Sequence, residues 1–237
     1  MAALTNPERR IAALYATSEA VQDITLCIDA LPEARRAELP AITESERRRL
    51  DAVHPVVDGE KAVHQGMLAA VWPLEAMDLE DCVAGLDGRS VRLLLLDQLS
   101  DPRNFGAIMR SALALGAQAI ITTHRNAPEE SGALARAAAG ALERVPNIRV
   151  VNLARAIDRL QEAGIEIAGL AADGDSDVGS LREAERLGIV MGAEGTGLRR
   201  LTRRHCDRLV RIDISNYSES LNVSTAAAIA LYAARRG

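Results

Sequence analysis

The hydrophobic pattern of the chain changes character near residue 90. Beyond that point short apolar runs alternate with amphipathic stretches. Val91 to Leu96 is apolar apart from Arg92, as expected of a strand buried on both faces. Asn104 to Leu115 has apolar residues at helical spacing and stops at Gly116, a residue suited to the left-handed position after a helix. Ala119 to Thr123 reads as a strand, Leu134 to Val145 as an Ala-rich helix closed by Pro146, and Ile148 to Val151 as a strand. Asn152 is placed to cap a helix ending at Gly164. Ile165 to Ala171, Gly188 to Met191 and Leu209 to Ile212 complete the strands, and Leu221 to Arg235 forms a long terminal helix. Strand and helix alternate with short links, which predicts an α/β domain with a parallel sheet covered by helices on both faces.

Upstream the pattern is less regular. Ala20 to Leu31 and Glu44 to Val53 predict helices, while Arg10 to Thr17 fits a helix by propensity and a strand by position. Residues 1–72 read as a small α/β module. The segment 73–88, acidic through Asp81 and carrying Gly85 and Gly88, reads as a linker, and 89–237 as the main domain.

Composition narrows the classes. The chain has 237 residues, of which 48% are apolar and 26% charged, values of an ordinary globular protein. Aromatics make up only 2%, which argues against a nucleic-acid binder that stacks bases on aromatic platforms. Every apolar run is far shorter than the about 20 residues that span a bilayer. A basic patch followed by an apolar stretch is missing at the N-terminus, so no signal peptide is expected. Cys27, Cys82 and Cys206 are widely spaced and form no Cys-x-x-Cys pair, so neither a disulfide framework nor a zinc cluster is expected, and the protein reads as cytoplasmic.

The net charge of −5 argues against general affinity for nucleic acid, yet its distribution is uneven. Residues 1–88 carry 8 basic and 16 acidic side chains, and the remainder 20 and 17. Lys61 is the one lysine among the 28 basic residues. Arg199, Arg200, Arg203, Arg204, Arg208 and Arg211 crowd together, and arginine forks match phosphate geometry. In the first module Arg35, Arg36, Arg47, Arg48 and Arg49 are the candidate phosphate contacts, with a solvated helix face as the plainer reading of each run.

The sequence carries no P-loop, no Gly-x-Ser-x-Gly elbow and no His-Glu-x-x-His. The glycines of Gly192-Ala193-Glu194-Gly195-Thr196-Gly197 follow a strand but miss the dinucleotide spacing, which disfavours a nicotinamide oxidoreductase. His54, His64, His124 and His205 show no ligand spacing and no obvious partner carboxylate, so they read as structural.

Three segments stand out, each after the C-terminal end of a strand, where open α/β sheets bind ligands. The first is Asp101-Pro102-Arg103-Asn104-Phe105-Gly106-Ala107-Ile108-Met109-Arg110. Its Asp, Pro and Asn suit a helix start, whereas Arg110 sits among apolar residues about 9 Å along the axis from Asn104. The second is the glycine turn at Gly192, where Glu194 either caps the next helix or points into a cleft. In the third, Ser220, Asn222 and Ser224 open a helix, as ordinary caps or as an anion site.

In order, these segments resemble the three motifs of the SpoU (TrmH-like) RNA ribose methyltransferases of the SPOUT superfamily. Asp101-Pro102-x-Asn104-x-Gly106-x-x-x-Arg110, Met191-Gly192-x-Glu194-Gly195-x-Gly197 and Ser220-Leu221-Asn222-Val223-Ser224 carry the likeness, which spans 91–236. Ala62-Val63-His64-Gln65-Gly66 also resembles the end of the N-terminal domain in the RlmB-like branch, which methylates guanosine in 23S ribosomal RNA.

The resemblance implies S-adenosylmethionine as cofactor, a ribose 2′-hydroxyl as acceptor and a homodimer. It also implies a trefoil-knotted methyltransferase domain behind a small RNA-binding domain, where periodicity alone draws an open sheet. Gly192, Ile212 and Leu221 would line the cofactor pocket, no metal would be needed, and Asn104, Arg110, Glu194, Ser220 and Asn222 would form the catalytic set. A guanidinium with a pKa above about 12 is a poor base, so Arg110 fits a clamp for phosphate and hydroxyl. Two departures are visible. Ile212-Asp213-Ile214 stands where the family has Ile-Pro-Met, and Met1 follows directly where a Gly-x-His or Gly-x-Asn segment is usual, so the first module is expected to lack its opening. A transfer-RNA ribose methyltransferase shares the three motifs and is the alternative substrate reading; a non-catalytic RNA-binding paralogue is disfavoured by the full polar set.

Overall fold

The computed structural model describes residues 1–53, 64–86, 88, 90–125, 127–193, 195–215, 217 and 220–235. The chain divides into two compact units, one comprising Met1–Glu75 with Glu130–Ala133, the other Ala76–Glu129 with Leu134–Gly237.

The first unit contains α1 (Ala2–Thr5), β1 (Ile11–Ala16), α2 (Ser18–Asp29), α3 (Glu33–Glu38), β2 (Ile42–Glu44), α4 (Arg47–Val53) and β3 (Met67–Val71). The ambiguous segment at Arg10 to Thr17 is therefore a strand. It is the middle one of three, parallel to β2 and antiparallel to β3. Its tertiary pairing overrides its helical propensity, and Leu14 and Ala16 bury against Leu4, Ala20 and Ile24. Arg35 departs from the expectation of an RNA contact. It is buried, and its guanidinium donates to the carbonyls of Leu4 at 3.0 Å and Arg9 at 2.8 Å. Arg36, Arg47, Arg48 and Arg49 are exposed.

The second unit runs α5 (Leu79–Ala84), β4 (Val91–Leu96), α6 (Pro102–Leu115), β5 (Ala119–Thr123), α7 (Gly132–Ala138, from Leu134 onward), β6 (Asn147–Val150), α8 (Leu153–Glu162), β7 (Glu166–Leu170), β8 (Ser176–Asp177), β9 (Arg186–Met191), α9 (Arg200–His205), β10 (Arg208–Arg211) and α10 (Val223–Ala233). All seven strands are parallel, in the order β6-β5-β4-β9-β7-β10-β8. Every residue of β4 is buried. Leu94 and Leu96 enter the core that contains α6 and α10 residues, while Val91, Leu93 and Leu95 enter the core that contains α8 residues. That alternation is the period of two serving two covered faces.

Three local expectations give way. Leu134 to Val145 is not one helix: Ala139 and Gly140 adopt left-handed φ values of 46° and 90°, and a short 3-10 turn follows over Ala141–Glu143. The terminal helix begins at Val223 because Asn222 is its cap. Helix α9, unread in the sequence, forms from the arginine-rich run.

Within the chain, Val223, Ala226, Ala227, Ala230 and Leu231 of α10 and its C-cap Ala234 are buried. Helix α10 packs on α6 and on the 3-10 turn Val178–Glu183. Among the described residues no helix is long and apolar enough to cross a membrane.

Candidate active site

The site grows from two adjacent strands. β4 and β9 pair in register to their last residues, Leu96 opposite Met191, so the two loops that follow leave the sheet at the same level. The Asp97 N–H extends the ladder by donating to the Met191 carbonyl at 2.8 Å. Gln98 then takes a left-handed φ of 63°, turning the chain toward α6. Asp101 caps that helix by accepting from the Arg103 N–H at 2.9 Å, and Pro102 occupies its first turn.

Asn104 lies on the first turn of α6 and Asn222 caps α10. The Asn222 side-chain amide donates to Asn104 Oδ1 at 3.0 Å, while Asn222 Oδ1 accepts from the Ser224 N–H at 2.9 Å and its hydroxyl at 2.6 Å. The cap of one helix thereby orients a side chain of another, 118 positions away in sequence. Asn222 is thus a helix cap, the plainer of its two readings, and its amide also holds a candidate site residue.

Gly106 explains a further motif position. A Cβ there would lie 2.4 Å from Ala137 Cβ and 2.7 Å from its carbonyl carbon, so only glycine lets α6 approach α7 this closely. Gly192 is tighter still, its Cβ position falling 2.1 Å from the Gly197 carbonyl carbon. The loop folds back on itself, Gly197 N–H donating to the Ala193 carbonyl at 3.0 Å, with Gly195 and Gly197 at φ 79° and 66°. A larger side chain at Gly192 would meet the loop's own backbone.

The remaining candidates are dispersed. Arg110 is exposed on α6, on the solvent side, with Ile108 and Met109 buried beside it. Ile212 and Leu221 are half-buried and pack at the margin of the α6–α10 core. Ser220 is exposed, and Glu194 lies outside the described residues.

Asp97 was passed over in the sequence. It is 1% exposed and directly follows the last residue of β4. The Thr202 hydroxyl donates to its Oδ2 at 2.6 Å and Arg199 Nε at 3.0 Å. Its Oδ1 lies 2.7 Å from Arg199 Nη2 in an ion pair. A buried carboxylate needs such partners, and both come from the segment after the glycine turn. The signal was a lone acid ending an apolar strand.

The arginine run is largely committed to acids. Arg203 forms two 2.8 Å bonds with Asp173, holding that carboxyl below its usual range. Arg208 pairs with Glu166 and Arg211 with Asp213. Arg200 and Arg204 are exposed and remain available for phosphate. Burial, followed by the charge of Asp207, pushes the Cys206 thiol up to about 12, so it stays protonated. Two histidines do have carboxylate partners: His64 Nε2 lies 2.9 Å from Asp51, and His205 Nδ1 2.5 Å from Asp158. His64 Nδ1 also accepts from the Gly66 N–H at 3.0 Å, fixing the turn before β3. Among the described residues no cluster of His, Cys, Asp and Glu could hold a metal.

An all-parallel α/β domain with a glycine turn and paired asparagines at its C-terminal strand ends has the form of a ligand-binding enzyme domain. Residues 92–232 match the model of the SpoU rRNA Methylase family, and the chain belongs to that family. It is 45% identical over 178 residues to the 23S rRNA (guanosine-2′-O-)-methyltransferase RlmB of Escherichia coli, covering 74% of this chain and 72% of that one. It is 42% identical over 193 residues to RlmB of Burkholderia sp, covering 81% and 76%. In fold it is similar to the SpoU methyltransferase AviRb from Streptomyces viridochromogenes, with a TM-score of 0.78 and 24% identity over 98% of this chain and 84% of that one. The AdoMet-bound rRNA methyltransferase from Sinorhizobium meliloti gives 0.77 and 22% over 98% and 82%.

Proposed function

We propose that the protein transfers a methyl group from S-adenosylmethionine to the ribose 2′-hydroxyl of a guanosine in 23S ribosomal RNA. The 45% identity to a guanosine-2′-O-methyltransferase, extending over 72% of that relative, carries this reading. The site's own residues are compatible with it. The backbone of the Gly192–Gly197 turn would hold the cofactor, with Ile212 and Leu221 as its apolar margin. When bound, S-adenosylmethionine supplies an activated methyl group, leaving the protein to supply position and charge. Asn104 and Asn222 hold each other and would orient the ribose. Arg110, exposed and cationic, would clamp the neighbouring phosphate and favour loss of the hydroxyl proton through its field. Glu194 and Ser220 complete the proposed polar set.

Several finer features belong to the same reading. The trefoil knot that the resemblance implies is compatible with β10 lying between β7 and β8 and with Gly174, where a Cβ would sit 2.5 Å from the Val210 carbonyl carbon. The family resemblance supports a homodimer, a cytoplasmic location and RNA binding by the first 72 residues. The decisive assay offers the enzyme labelled cofactor with either deproteinised ribosomal RNA or total transfer RNA. Label on guanosine 2′-oxygens of 23S RNA is expected; label confined to transfer RNA would move the assignment to the alternative substrate.

A further inference from the structure

The chain's single tryptophan, Trp72, directly follows β3, and its side chain is 57% exposed. Its backbone is anchored on both sides: the N–H donates to the Arg10 carbonyl at 3.0 Å, and the carbonyl accepts from Arg9 Nη1 at 2.9 Å. Above the ring stands the Arg10 guanidinium, 5.9 Å from the ring centre. The two flank a cleft of 490 Å³ whose other walls are Pro7, Ile11, Arg35 and Glu38. Arg35 is buried and spends its donors on backbone carbonyls and on the Glu38 carboxylate at 3.0 Å, so it shapes the cleft, while Arg10 and Trp72 are exposed.

A large aromatic face left in water on a rigid backbone, with a stacked cation beside it, suits a flat π-system. Indole and guanidinium planes both stack on unpaired bases, and single-stranded loops are where proteins splay RNA bases out. The scarcity of aromatics excludes an extended platform but leaves room for a single-base site. We infer that the Arg10–Trp72 cleft of the first unit captures one unpaired RNA base by stacking. The inference rests on RNA being the substrate and names the contact that the first unit makes.

Because Trp72 is the only tryptophan, its fluorescence reports this cleft alone. Titrating the full chain with a short oligoadenylate should quench the emission saturably, and the same strand annealed to oligouridylate should not. Trp72→Ala should raise KM for ribosomal RNA about tenfold, within the range for loss of one base–aromatic stack. Its kcat and cofactor affinity should stay at wild-type values. Trp72→Phe, which keeps a ring, should fall between, and serves if the alanine variant folds poorly. Emission indifferent to single strands, or a wild-type KM in both variants, overturns the inference while ribosomal methylation still stands. If instead the wild-type chain methylates no ribosomal RNA, the proposed function falls, and the titration still decides the cleft.

Discussion

The fully buried strand β4 buries a charge at each end and solves the problem in opposite ways. At its start Arg92, 6% exposed, donates to the carbonyls of Val91 at 2.7 Å, Glu185 and Ala234 at 2.8 Å, and Ala184 at 3.1 Å. One of these acceptors lies just past the end of α10, where the helix dipole favours a cation. At its other end Asp97 is met by side chains, Arg199 and Thr202, from the segment after the glycine turn. Backbone acceptors are fixed by the fold itself, so the Arg92 end is a structural rivet. Side-chain partners on the short helix α9 and its cap can be lost without unfolding the sheet, so the Asp97 end is the one expected to tune the site.

The sharpest way to break this contrast is Arg92→Ala. It strands several buried carbonyls and frees the end of α10, and should cost about 4 kcal/mol in urea denaturation. The folded fraction should bind cofactor as wild type does; weakened binding by calorimetry would mean that the Arg92 end also tunes the site. Gly192→Val follows at about 3 kcal/mol, because its Cβ overlaps the Gly197 backbone and the loop must open. Cofactor binding should vanish with it, and retained affinity in a folded variant would remove this turn from the pocket.

Asp97→Asn keeps an acceptor for Thr202 and releases a half-exposed arginine, so a loss of only about 1–2 kcal/mol is expected. Cofactor affinity should nonetheless drop measurably, the inverse of Arg92→Ala. Equal effects from the two would erase the distinction between rivet and tuned end. The smallest stability change belongs to Arg110→Ala, whose denaturation midpoint should not move because the side chain is exposed. Methyl transfer should be lost while cofactor affinity is retained; an active variant would return Arg110 to an ordinary surface residue.

The arginines show why a sequence conveys composition better than availability. Six crowd into 199–211, yet Arg199, Arg203, Arg208 and Arg211 have carboxylate partners, some distant in sequence. Arg35 lies beside Arg36 but points inward, because α3 turns about 100° per residue and one position separates core from solvent. Neither fact leaves a trace in local pattern. His64 and Asp51 likewise meet across 13 positions.

By itself the sequence determined what depends on short range. The fully apolar run at Val91 to Leu96, the caps Asp101 and Asn152, and the left-handed stop at Gly116 are all present where local spacing places them. So is the order of the three motifs, each behind a strand. Tertiary structure alone decided the rest. Insertion of β10 between β7 and β8 depends on pairing between distant segments, which periodicity cannot encode. The Asn222–Asn104 bond and the partners of Asp97 exist because a parallel sheet brings the C-terminal ends of its strands to one edge, converging loops that lie up to 118 positions apart.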